Sequence, residues 1–166
     1  MTARQGNLLG FAACAALLAY AYYAQFVLHL EPCPLCIFQR VGIFALGLVF
    51  LIAAAHDPVH WARRAYASLL AVAALATIGV AARHLYVQSL PEGSVPACGA
   101  SLDFMLKVFS LGEVLVKVLT GSGECAKVTW TFLGLAMPGW VLIAALVLGA
   151  YGAWINLRRQ APVLRF

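Results

Sequence analysis

Apolar positions in this chain gather into four long runs, from about Leu8 to Leu30, Ile37 to Ala55, Tyr66 to Leu90 and Pro138 to Leu157. Leu, Ala, Val and Gly dominate them, and no period-2 alternation of a barrel strand is visible. Each run is close to the ~20 residues that cross ~30 Å of hydrocarbon. Backbone groups in lipid must pair within their own segment, so the pattern predicts four membrane helices. The first run is too long for a cleaved leader, and no small-residue cleavage site stands before the polar stretch that follows it, so a retained helix is expected.

The polar stretches between the runs are unequal. One short connection covers about residues 31–36 and a long one about residues 91–137, with the loop "HDPVHWARR" between the second and third runs. In the long connection, "LDFMLKVFSLGEVLVKVL" (Leu102 to Leu119) places Phe104, Met105, Val108, Phe109, Val116 and Leu119 around Lys107 and Lys117. It is too short and too charged to span comfortably, and predicts an amphipathic helix lying on the membrane surface. The "GSG" at 121–123 would give the loop freedom of movement.

Composition agrees. The chain has 166 residues, enough for one domain (1–166), and is 64% hydrophobic with only 10% charged. A soluble core of this size could not hide so much apolar surface, so the excess faces lipid. The formal charge of +5 does not point to nucleic acid, because the basic residues form no stripe. They sit mostly at the ends of apolar runs, where Lys and Arg set topology. Arg4, Arg63, Arg64, Arg158, Arg159 and Arg165 mark one side of the membrane as cytoplasmic, with both termini there. Trp61, Trp140 and Trp154 lie near segment ends, as interfacial aromatics do. The fold class expected is all-α and integral to the membrane: a four-helix bundle with two outer loops, the second carrying the surface helix.

Five cysteines add chemistry to this frame. Cys14 lies within the first run and reads as a small packing residue. Cys33 and Cys36 fall in the first outer connection, Cys98 and Cys125 in the second, on the side where disulfides are permitted. A structural staple remains open for Cys98 and Cys125, since a long loop gains from one. For Cys33 and Cys36 it is weaker, because a C-x-x-C bridge closes a tiny loop and orders little. A c-type haem site needs His after the second Cys, where Ile37 stands, and no second close pair completes a zinc ribbon, so no metal site is expected.

Pro32 and Pro34 keep the approach extended, so the second helix is expected to begin at about Leu35 or Cys36. A thiol in a first helical turn meets the positive end of the dipole and unpaired N–H groups. Arg40 is one turn further on the same face. Both features would hold Cys36 as a thiolate and would favour negative charge on a bound electron acceptor. Snorkelling to the headgroups is the plainer role for Arg40, but its spacing from the thiol favours the chemical one. A thiol pair at the membrane edge needs an electron sink, and no haem, flavin or iron–sulfur signature is present. The two-electron acceptor soluble in lipid is a quinone.

With "PCPLCIFQR" at the head of the second run, "VPACGASLDFM" and "GSGECAKVTWTFLGLAMPGW" in the second loop, and the four-helix layout, the chain resembles the DsbB family, the disulfide bond formation proteins of bacterial inner membranes. The resemblance covers about Leu8 to Trp154. It implies an enzyme, a thiol:quinone oxidoreductase, whose Cys98–Cys125 pair oxidises a soluble periplasmic thioredoxin-fold partner of the DsbA type. The partner's thiolate would attack at Cys98, and electrons would pass to Cys33 and Cys36 by thiol–disulfide exchange. Cys36 would donate to ubiquinone or menaquinone through a charge-transfer or adduct state assisted by Arg40. His84 and Gln88, one turn apart in "RHLYVQ", match the family's quinone contacts, although a polar helix end meeting water remains the alternative. Arg83 is outside that pattern and reads as a headgroup anchor. A vitamin K epoxide reductase-like protein is disfavoured because its membrane C-x-x-C comes near its last helix. A non-enzymatic assembly factor or small transporter would place polar groups in mid-bilayer or show repeats, and neither is seen.

Overall fold

The computed structural model describes residues 2–58, 61–91, 107–121, 123–128 and 130–158. Four long helices make the bundle: α1 (Ala3–Phe26), α2 (Pro34–His56), α3 (Trp61–Ser89) and α6 (Met137–Leu157). All four are long and apolar enough to cross a membrane, at 24, 23, 29 and 21 residues. The chain is thus a multi-pass membrane protein. Between α3 and α6 lie α4 (Leu111–Thr120), the single turn α5 (Gly123–Ala126) and a small antiparallel hairpin, β1 (Thr131–Phe132) and β2 (Leu135–Ala136).

The first three helices begin before their apolar runs, and α1 ends at Phe26, short of the expected Leu30, because caps and not hydropathy end a helix. α1 begins at Ala3 instead of near Leu8, behind a capping box in which the Gln5 N–H donates to Thr2 Oγ1 and the Thr2 N–H to Gln5 Oε1. α2 begins at Pro34, earlier than the two prolines suggest, because proline is well suited to a first helical position whose N–H would be unpaired anyway. Its other end stops at Asp57, which takes a left-handed conformation (φ 42°). α3 starts at Trp61, five residues or so before the apolar run, and at 29 residues is about 43 Å long. That exceeds the ~30 Å of hydrocarbon, so the helix is long enough to reach past it.

Neighbours pack in the order α1–α2–α3–α6, with α6 returning to α1. The core joins Cys14, Ile43, Leu46, Phe50, Leu70, Ala74 and Leu148. The Phe50 ring is fully buried between Gly10 and Gly152, where a Cβ on either glycine would lie within 2.9 Å of it. This is how three helices approach one aromatic ring. Phe44, Val72, Leu75 and Val147 point outward and are more than half exposed, as lipid-facing residues would be. At the end where α1 begins and α6 finishes, buried Asn7 and Asn156 exchange side-chain amide hydrogen bonds of 3.2 and 3.0 Å, tying α1 to α6.

Of the expected surface segment, 102–119, only the second part forms α4, which starts afresh after residues 109–110 at a Ser110–Glu113 capping box. Residues 102–106 of that expected segment lie outside the described residues. Val114 and Val118 of α4 pack into the bundle with Leu35 and Val87, so part of its apolar face covers protein and not lipid. The hairpin was not expected. Leu133 (φ 50°) and Gly134 (φ 79°) both adopt positive φ at its turn, the geometry of a two-residue hairpin loop.

Candidate active site

Two clusters of chemistry meet at the end of the bundle where α2 begins and α3 finishes. The first is set by the start of α2. Cys33 is the N-cap residue, and its Sγ accepts from the Cys36 N–H at 3.4 Å. This turn brings Cys33 Sγ to 3.3 Å from Cys36 Sγ. A disulfide is ~2.05 Å, so these are two thiols in contact, about 1.2 Å of approach from a bond. Cys33 is buried and Cys36 half-buried, with Cys36 in the first turn of α2 among N–H groups that lack helical partners.

α3 supplies the next group. His84 is only 2% exposed. Its Nε2 lies 3.7 Å from Cys33 Sγ and 3.1 Å from the Cys125 carbonyl oxygen, and its Nδ1 lies 3.0 Å from Gln39 Nε2. An amide nitrogen can only donate, so Nδ1 accepts and the ring proton sits on Nε2. That N–H therefore faces Cys33 and the Cys125 carbonyl together. Cys125 is buried on α5, and its Sγ, Cys33 Sγ and a His84 ring nitrogen fall within 4.8 Å of one another. Cys98, the other cysteine of the second loop, lies outside the described residues.

The second cluster is a cavity of about 520 Å³ beside the thiols. Cys36, Arg40, His84 and Gln88 all line it, as do Cys33 and Gln39. The rest of its wall is mostly apolar and aromatic, including Trp130, Phe132 and Trp140. Arg40 does not extend freely to a headgroup layer. Its Nη2 donates to the Ala21 carbonyl at 3.0 Å, its Nη1 to Gln25 Oε1, and its guanidinium lies 5.2 Å from the Tyr22 ring centroid. A permanent cation is thereby held by α1 at the cavity wall, one turn from Cys36. A flat ring with two carbonyl oxygens and an apolar tail would find aromatic walls, donors at Arg40 and Gln88 and the His84 ring in the lining here, so these residues fit a quinone.

Gln39 was not singled out from the sequence. The available signal was a neutral polar residue just inside an apolar run, which is weak beside the adjacent Arg40. Nor did the pattern reveal the aromatic wall, because tryptophans near a membrane boundary are ordinary.

Comparison with known proteins gives a consistent picture. A sequence profile described as "Disulfide bond formation protein DsbB" matches residues 3–155. Among curated relatives, "Disulfide bond formation protein B" of Nitrosococcus oceani is 55% identical over 146 residues, covering 88% of this chain and 86% of the relative. The protein of the same name from Methylococcus capsulatus is 51% identical over 160 residues, covering 95% and 98%. That from Marinobacter nauticus is 49% identical over 162 residues, covering 98% and 96%.

Proposed function

The chain belongs to the DsbB family of disulfide bond formation proteins, and we propose that it is the dithiol:quinone oxidoreductase that reoxidises a DsbA-type thioredoxin-fold partner. Its place would be the bacterial inner membrane, with both termini cytoplasmic and the paired cysteines periplasmic. The observation that carries the reading is the meeting of Cys33, His84 and Cys125 within 4.8 Å at the wall of a cavity that also holds Cys36 and Arg40.

The steps follow from sulfur chemistry. The cycle starts from the oxidised chain, with Cys98–Cys125 and Cys33–Cys36 as disulfides, the contacting thiols described above being the reduced form of the second pair. A partner thiolate attacks Cys98, the Cys98–Cys125 bond breaks, and Cys125 leaves as a thiolate. Cys125 then attacks Cys33, whose sulfur is its near neighbour. The Cys33–Cys36 bond breaks and Cys36 leaves as a thiolate, in the first turn of α2, with its sulfur on the cavity wall. The His84 Nε2–H lies close enough to Cys33 to stabilise negative charge as the sulfurs exchange. A quinone, when bound, supplies a sink for two electrons and two protons. Arg40, His84 and Gln88 would hold it, and Arg40 would stabilise the negative charge that develops. The partner's second thiolate attacks its own sulfur in the mixed disulfide and the partner leaves oxidised, freeing Cys98 as a thiolate; Cys98 attacks Cys125, which re-forms Cys98–Cys125 and frees Cys33. The Cys33 and Cys36 thiols would return to a disulfide by giving two electrons and two protons to the quinone, so each partner disulfide formed removes that many from the partner's thiols.

The test is anaerobic mixing of the purified protein with reduced partner and quinone, followed by absorbance. Loss of quinone absorbance in step with partner oxidation is expected. If the loop cysteines were a staple in a non-enzymatic protein, they would stay oxidised in membranes depleted of quinone, and thiol trapping there would overturn the reading.

A further inference from the structure

The last turns of α3 grip the loop that carries Cys125, and Arg83 is the outermost part of that grip. The final carbonyls of a helix lack intrahelical donors, and in α4 each has found one. The Thr120 hydroxyl donates to the Lys117 carbonyl at 2.7 Å, and the Gly121 N–H to that of Val118 at 3.1 Å. Those of Leu119 and Thr120 take Arg83, whose Nε–H donates at 2.7 Å and Nη2–H at 3.1 Å. The guanidinium is steadied by the Tyr86 ring, 5.0 Å away on the same helix. A cation at a helix C-terminus also meets the negative end of the dipole.

The grip continues inward on the same face of α3. Val87 packs with Val114 and Val118, and it lies so close to Gly121 that a Cβ there would be 2.9 Å from it. Gly121 also holds φ +87°, which side-chain-bearing residues rarely adopt. His84 then takes the Cys125 carbonyl at 3.1 Å. Arg83, Val87 and His84 thus seat the chain at successive points between α4 and Cys125.

We propose that Arg83 is a positioning residue for transfer between the two cysteine pairs: it latches the C-terminus of α4 to α3 and so keeps Cys125 beside Cys33. The proposal rests on the reading that electrons pass from one pair to the other. Exchange between two sulfurs on one chain depends on their effective concentration, which a loop raises when it is pinned close to its target and lowers when it is released. Arg83 touches no reacting atom. The headgroup anchor suggested by its position in the sequence would need only its charge, whereas the latch needs the two-pronged guanidinium.

The experiment uses the full chain in lipid nanodiscs with Cys14, Cys36 and Cys98 replaced by Ser, leaving Cys33 and Cys125. Diamide is added and formation of the Cys33–Cys125 bridge is timed. Arg83→Ala should slow bridging roughly tenfold, the scale of one well-placed charged contact, and Arg83→Lys should recover only part of the rate. With all five cysteines restored, reduction of Cys33–Cys36 by a small dithiol, which bypasses the loop, should keep its rate. Bridging at the parent rate in Arg83→Ala, or full recovery with Lys, overturns the latch. If Arg83→Ala does not insert, Gly121→Ala, which disturbs the same junction, decides: slowed bridging supports the latch and an unchanged rate overturns it. No bridging in the parent with Arg83 intact would sink the relay itself, and the latch with it.

Discussion

Cys33 Sγ and His84 Nε2 lie 3.7 Å apart across 51 positions of sequence. One is the N-cap of α2 and the other faces it from the last turns of α3, so the contact exists only when those two helices are packed and correctly rotated. The sulfur that starts the thiol pair is therefore also the sulfur that an imidazole N–H and a second-loop cysteine can reach.

Cys36→Ser should leave the protein inserted and abolish quinone reduction by the reduced partner. The lone Cys33 thiolate can still attack Cys125 in the Cys98–Cys125 disulfide and release Cys98 as a thiolate, so an isomer bridged Cys33–Cys125 should accumulate and be found by peptide mapping after alkylation. Unchanged turnover would remove Cys36 from the reaction.

Gln39→Leu should strip His84 Nδ1 of its donor and leave the ring free to change tautomer. A buried group that loses its partner costs about 1–3 kcal/mol, so stability in detergent should fall by that order and turnover should fall with it. Ring ¹⁵N shifts would report whether the Nε2–H form persists. If the tautomer and the rate are both unchanged, Gln39 is packing only.

Arg40→Met should raise the quinone concentration needed for half-maximal turnover by about tenfold, the scale of a charge-assisted contact. Since Arg40 also holds the Ala21 carbonyl, a small loss of thermal stability is expected alongside. A normal quinone dependence would reduce Arg40 to a clasp between α1 and α2.

Asn7→Leu should cost about 1–2 kcal/mol, because Asn156 keeps a buried amide without its partner. The double substitution Asn7→Leu with Asn156→Leu should cost less than the two singles together, with a coupling of about 0.6–1.7 kcal/mol. Unfolding in mixed micelles measures all three, and strict additivity would mean the pair contributes nothing as a pair.

Acid should loosen the start of α4. The Ser110 N–H and hydroxyl both donate to the Glu113 carboxylate, at 3.0 and 2.9 Å, and hold its carboxyl below the usual 4.5. A depressed folded value stabilises the capped helix at every pH above the unfolded value, and the gain is lost as pH falls through the folded one. Amide protection at residues 113 and 114, corrected for intrinsic exchange, should be flat from neutrality to about pH 4.5 and decline below it. Glu113→Gln should remove the decline. A pH-dependence that survived Gln would place the titrating group elsewhere.

The helices were legible because each is a local fact. A run of apolar residues as long as the bilayer is thick must be helical whatever surrounds it, and the spacing of Cys33, Cys36 and Arg40 follows from one helical turn. The errors were local too: α1 and α2 begin earlier than hydropathy suggested because Thr2, Cys33 and Pro34 make good helix starts. Hydropathy registers lipid, whereas a helix continues to its cap.

The pairing of elements was not legible, and lipid is the reason. In water an apolar stripe marks the face a helix buries, but a helix that is apolar on all sides shows no such stripe. Nothing in the runs themselves told which side of α2 carries Gln39 to His84, or which side of α3 turns Arg83 toward α4. By itself the sequence determined four crossings, a thiol pair at a helix start and a cation one turn beyond. Only the tertiary structure decided that Cys125 comes to Cys33, that His84 stands between them and that Arg40 is held by α1, because those contacts depend on the rotation and height of whole helices against one another.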